Sequence, residues 1–239
     1  ISPQIGQWLQ AVQRALAGQG AAVSLMAGAA LALADGYVWP LPAWMPPPPV
    51  PADNPMSAAK VELGRHLFYD ARLSADGTVA CASCHDQARA FTDGRTTAIG
   101  IHGTQGAKNA PSLANAGYFP VLTWANPHMT SLEFQALVPI FGEAPEEMGA
   151  AGREAEIFAR LAADPVYQAG FAAAFPDQPA PDLFTITRAL GAFQRSLISV
   201  NSPYDRFKYW GEPNALSDAA KRGEALFFDH RFECYHCHS

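Results

Sequence analysis

The chain has 239 residues, enough to bury a sizeable core in one large domain or two small ones. A hydrophobic content of 49% and a charged content of 16% exclude an intrinsically disordered chain. The formal net charge of −6, with no basic stretch, argues against a nucleic-acid partner and fits a small uncharged substrate or a protein docking through a local patch.

Residues 1–17 place Ile5, Trp8, Leu9, Val12 and Leu16 on one helical face. The run "AAVSLMAGAALALA", Ala21 to Ala34, carries no charge and is too short for a stable membrane span. It closes on Ala32-Leu33-Ala34, an A-x-A cleavage pattern, with Arg14 on its positive side. Residues 1–34 therefore read as a secretory signal, with a buried or anchoring helical leader as the alternative. The chain does not begin with Met, whereas Met26 sits inside the apolar run, so a truncated or mis-started reading frame is expected. Residues 35–56 form a Pro-rich linker, extended and partly polyproline-like, which Trp39 and Trp44 can pin to a surface.

The folded part is predicted to begin at Ser57, the cap of a helix through "AAKVELGRHLFYD". A turn at Asp76-Gly77 leads into "CASCH", and residues 88–108 are loop-rich. Short helices are predicted near Ala110–Tyr118 and Ser131–Val138. Longer ones fit Arg153–Ala163, Pro165–Phe175 and Leu183–Ile198, the last two behind the caps Asp164 and Asp182. No segment alternates convincingly as a strand, so the protein is expected to be mainly α.

All four cysteines lie in two Cys-x-x-Cys-His motifs: Cys81, Cys84, His85 and Cys234, Cys237, His238. This spacing reads as c-type haem attachment, with two thioethers and the adjacent His as proximal iron ligand. A thioredoxin-like redox pair or a zinc site is the alternative. Two motifs with no spare cysteine weigh against both, and a four-cysteine zinc site would leave His85 and His238 unexplained. The stretch Gly64 to His85 is echoed by Gly223 to His238: Gly, then Leu-Phe-aromatic-Asp, a short connector and the motif, the second helix also behind a capping Ser217. The fold expected is two cytochrome c-like haem domains, residues 57–200 and 201–239, the second incomplete. A complete gene product is expected to run on by roughly a hundred residues, a usual domain size, and this piece alone is expected to be inactive.

The stretch "LGRHLFYDARLSADGTVACASCHDQARAFTDG", followed by "KNAPSLAN" and "LTW", resembles the bacterial di-haem cytochrome c peroxidase and MauG family from about Lys60 onward. "DNPMSAAKVELGR" and "FGEAPEE" are similar to its MauG-like branch, and Trp124-Ala125-Asn126-Pro127 departs from the Trp-Asp-Gly-Arg of ordinary peroxidases. The resemblance implies two covalent haem c groups, a peroxidatic one on Cys81, Cys84 and His85 and an electron-transfer one on Cys234, Cys237 and His238. It implies Trp124 as the bridge between the haems, with ordinary core packing as the alternative. Gln135 and Glu143 stand where the family uses an amide and a carboxylate to move a proton between peroxide oxygens. Glu146 and Glu147 compete with Glu143, because the loop length differs. His102 is either a distal ligand of the first haem in a Gly-rich loop or a surface residue. Asn109 is either a side-chain ligand of a calcium ion or a helix cap. His66, His128 and His230 read as surface residues.

The function implied is an exported, periplasmic oxidoreductase that takes hydrogen peroxide at the first haem. Electrons come from a small redox protein, a cytochrome c or a cupredoxin, in a peroxidase. They come from an aromatic residue of a partner protein in a MauG-like oxidase. A non-catalytic di-haem electron carrier is the alternative from a different class.

Overall fold

A computed structural model describes residues 37–123 and 126–238. The leader helix, the signal-like run and Trp124 lie outside the described residues. The described residues are mainly helical, with no strand among them. They fall into two compact units, one built on Pro48–Ile198 and one on Trp39–Pro47 with residues 199–238.

In the first unit, α1 spans Ala58–Tyr69, and the Ser57 hydroxyl accepts from the Lys60 N–H at 3.1 Å, capping it as predicted. A single turn, α2, spans Cys81–Cys84. Where one helix over Ser131–Val138 is predicted there are two, α3 over Leu132–Gln135 and α4 over Leu137–Phe141. Pro139 is the reason: it has no N–H for the Gln135 carbonyl, and its ring would strike that oxygen in a continuous helix. Helices α5 (Glu154–Ala162) and α6 (Pro165–Ala174) follow, then α7 (Leu183–Arg195), which stops three residues short of its predicted end. Asp164 caps α6 and Asp182 caps α7, as expected. The predicted helix at 110–118 is not formed. Ala110 precedes a proline, which disfavours the helical region, and Asn115 is left-handed at φ 62°, leaving one 3-10 turn over Ala116–Tyr118.

The core of this unit is the crossing of α1 and α7, its heaviest helix contact. Leu67 and Phe68 from α1 and Ala189 and Leu190 from α7 are essentially inaccessible. Gly64 makes the crossing close: a Cβ there would lie 2.6 Å from the Ala189 carbonyl carbon and 2.8 Å from the Phe193 Cβ. A buried polar cluster then fastens the end of the Pro-rich segment to α3 and α7. Arg195 Nη2 donates to both Glu133 oxygens at 2.9 and 3.3 Å, and Asn54 Nδ2 donates to Glu133 Oε1 at 2.7 Å and to the Arg188 carbonyl at 3.1 Å. No local pattern announces these partners, which lie 62 to 134 residues apart in sequence.

The second unit holds α8 (Pro203–Tyr209), not predicted, and α9 (Asp218–Phe227), capped by Ser217 as predicted. Glu224 joins them, accepting from Tyr204 Oη at 3.0 Å and Lys208 Nζ at 2.8 Å. Trp44 stacks on Tyr209 with ring centroids 4.3 Å apart, so one end of the Pro-rich segment is pinned by a tryptophan. Among the described residues no helix is long and apolar enough to cross a membrane.

Candidate functional site

The first motif is built as a preformed turn. Ser83 Oγ accepts from the Ala80 N–H at 3.0 Å, and the His85 N–H closes on the Cys81 carbonyl at 2.9 Å. The chain behind it is cinched into a tight loop. Asp86 Oδ1 accepts from the Ala88 N–H, its carbonyl accepts from the Phe91 N–H at 2.8 Å, and Ser112 Oγ donates to the Ala90 carbonyl at 2.5 Å. Ala90 and Phe91 both sit in the left-handed region, φ 54° and 61°, which costs a non-glycine residue roughly 1–2 kcal/mol.

This loop geometry aims the Phe91 carbonyl at His85, whose Nδ1 lies 2.8 Å from it. A carbonyl oxygen only accepts, so Nδ1 carries the proton and Nε2 keeps its lone pair. Burial also holds the imidazole below its usual pKa, against its hydrogen bonding to the Phe91 and Pro111 backbone carbonyls, and so favours the neutral form that binds metals. The Phe68 ring backs His85 at 6.4 Å. Burial raises the Cys81 thiol to about 12 and also raises Cys84. Reactive redox cysteines have depressed values, so the thioredoxin-like alternative loses support. Among the described residues no group of three or more His, Cys, Asp or Glu could hold a metal ion.

Cys84 and His85 open onto a cavity of about 420 Å³, within the roughly 300–1,000 Å³ of small-molecule and cofactor sites. Its walls are chiefly apolar, with Leu113, Leu122, Leu132 and Pro139 among them. A smaller cavity of about 50 Å³ shares Cys84, His85, Gln135, Glu147 and Gln194 with it and adds Cys81. Two thiols one turn apart, a histidine with an oriented Nδ1 and a free Nε2, and an apolar hollow beside them suit a covalently held haem. Cys81, Cys84 and His85 would hold it.

The other predicted residues divide. Gln135, at the end of α3, lines both cavities. Glu143 does not: it is exposed and bridges to Glu146. The carboxylate on both cavity walls is Glu147, whose pKa is raised by burial. The sequence offered Glu147 only as a competitor, because loop length alone could not say which of three acids turns inward. His102 is exposed, left-handed at φ 57°, and 3.8 Å from Asp76 through Nδ1, and it is not on the wall of either cavity. Asn109 is exposed on the rim of the larger cavity, with no helix after it to cap. His66 is exposed and 3.2 Å from Glu62; His128 and His230 are exposed too. In the second unit Cys234, Cys237 and His238 are exposed, with the Phe227 ring 6.4 Å from His238. Gln194 on the cavity wall and the Phe91 carbonyl were not foreseen, and no sequence motif marks either.

Residues 58–213 match the family model described as di-haem cytochrome c peroxidase. The methylamine utilization protein MauG of Methylophilus methylotrophus is 37% identical over 192 residues, 80% of this chain and 55% of that protein. The cytochrome-c peroxidase IdrP1 of Denitromonas iodatirespirans is 38% identical over 222 residues, 91% of this chain and 56% of that protein. Among solved structures, a MauG-like protein associated with microbial copper homeostasis superimposes with a TM-score of 0.79 at 51% identity, covering 84% of this chain and 58% of that one. The chain thus spans little more than half the length of these relatives.

Proposed function

Because the chain belongs to the di-haem cytochrome c peroxidase family, we propose that its first unit is the peroxide-reacting part of a two-haem oxidoreductase. One observation carries the reading: His85, fixed by the Phe91 carbonyl, shares a chiefly apolar cavity with Cys84, Gln135 and Glu147. When bound, the haem would supply the redox chemistry that reduces peroxide. The protein's share is to hold and to protonate. The His85 Nδ1–H···O bond fixes the ring plane and keeps Nε2 basic. Glu147, with its carboxyl pKa raised by burial, takes a proton from one peroxide oxygen and returns it to the other. The Gln135 carboxamide donates a hydrogen bond to the oxygen on which charge gathers.

The second motif, Cys234, Cys237 and His238, would hold a second haem, whose chemistry would be to pass on electrons from a redox protein or from an aromatic residue of a partner. The family resemblance would give Trp124 a part in electron transfer between the haems and Asn109 a part in a calcium site. The family's chemistry and the A-x-A pattern support a periplasmic location. The 51% identity to a MauG-like protein supports that branch over the ordinary peroxidases.

The test is an optical titration of the full-length, haem-loaded protein with peroxide, before and after one-electron reduction. A long-lived oxidised species from the fully oxidised protein supports the MauG-like branch. Reaction only after reduction supports the peroxidase, and no reaction in either state removes both.

A further inference from the structure

We propose that Gln194 is a further ligand-contacting residue of this cavity, its carboxamide N–H donating to an oxygen of the small ligand, water or peroxide, that enters there. The proposal rests on the haem-peroxidase reading of the cavity. Gln194 lies in the last turn of α7 and is 6% exposed, yet it lines both the larger and the smaller cavity. Its backbone carbonyl accepts from the Leu197 N–H at 3.1 Å, while its side chain lines the cavities and is not among the enclosed side chains left without a partner. Polar groups inside folded proteins are nearly all satisfied, by protein, water or ligand. What fills the cavity is therefore the partner of Gln194.

The lining says which chemistry that is. Apart from the motif residues, the only polar side chains around the smaller cavity are Gln135, Glu147 and Gln194; the rest of the wall includes Phe68, Met148 and Leu190. Three polar groups from α3, the loop before Met148 and α7 thus converge on the cavity that Cys81, Cys84 and His85 also line. A glutamine, which both donates and accepts, suits a neutral or singly charged oxygen ligand beside a carboxyl group that exchanges protons.

The experiment uses the haem-loaded full chain as wild type, Gln194→Leu and Gln194→Met, titrated with fluoride, a small ligand that accepts hydrogen bonds. Both variants are expected to bind fluoride about tenfold more weakly, the size of one lost hydrogen bond. The charge-transfer band of the fluoride complex is expected to shift, while imidazole affinity stays within about twofold. Fluoride affinity unchanged in both variants overturns the proposal. So does an equal loss for fluoride and imidazole, which means general damage to the cavity. A shifted reduction potential with unchanged fluoride binding assigns Gln194 to a haem carboxylate and also overturns it. Wild-type protein with no haem mass on the Cys81–Cys84 peptide defeats the underlying reading itself.

Discussion

Replacing Gly64 with alanine sets two effects of opposite sign against each other. In a helix interior alanine is favoured over glycine by about 1 kcal/mol, so Gly64→Ala in an isolated α1 would stabilise. In the folded chain the new Cβ would sit inside the van der Waals shell of the Ala189 carbonyl and 2.8 Å from the Phe193 Cβ. The obstructing atoms belong largely to backbone, so no side chain can swing aside, and α1 and α7 must separate. Overpacking of this kind costs about 1–3 kcal/mol and sometimes more. The crossing also positions Phe68 behind His85, so the damage reaches the site. The net expectation is a loss of about 1–3 kcal/mol in urea unfolding followed by far-UV circular dichroism. Gly223 occupies the matching place in the internal repeat, in α9, and a Cβ there meets nothing within 4 Å. Gly223→Ala is expected to stabilise α9 by up to about 1 kcal/mol, read as slower amide exchange over Asp218–Phe227. A neutral or stabilising Gly64→Ala would refute the close-crossing argument, because the repeat would then treat both glycines alike.

Glu147→Gln in the full-length, haem-loaded protein is expected to slow the reaction with peroxide about 10²–10⁴-fold by stopped-flow absorbance, whereas Glu143→Gln stays near wild type. The same Glu147→Gln should raise stability at neutral pH. Burial raises the folded carboxyl, so the wild type loses stability as pH climbs from the ordinary carboxylate range through the folded value; urea midpoints should converge below that range. For Glu133 the sign reverses. Burial pushes its pKa up, but the Arg195 charge and the Asn54 hydrogen bond hold it below the ordinary value, so its contribution is present above that value and lost as pH falls through the folded pKa. Glu133→Leu strands Arg195 in the core and should cost about 3–5 kcal/mol at pH 7 in the same urea assay. His85→Gly should leave haem on Cys81 and Cys84 by mass spectrometry but change the spectrum, with added imidazole restoring it; no rescue would argue against Nε2 as the ligand.

Much of the architecture was legible because it is local. Ser57, Asp164, Asp182 and Ser217 each cap a helix whose first N–H groups lie two or three residues away, and that spacing is written in the chain. The two Cys-x-x-Cys-His motifs are local for the same reason: both thiols and the histidine must meet one cofactor within a turn and a half. Errors arose where backbone chemistry overrode pattern, at Pro139, which splits α3 from α4, and at Ala110-Pro111, where no helix forms.

The sequence by itself determined the two Cys-x-x-Cys-His motifs, the mainly helical class and the family. The tertiary structure decided which of three neighbouring acids faces the cavity, that His102 faces solvent, and that Gln194 stands beside Gln135 and Glu147. It also decided that Asn54, Glu133 and Arg195 form one buried cluster. The physical reason is that a side chain's direction at a loop or helix end depends on what packs behind it. At this site that packing comes from helices α1 and α7, more than a hundred residues apart in the chain.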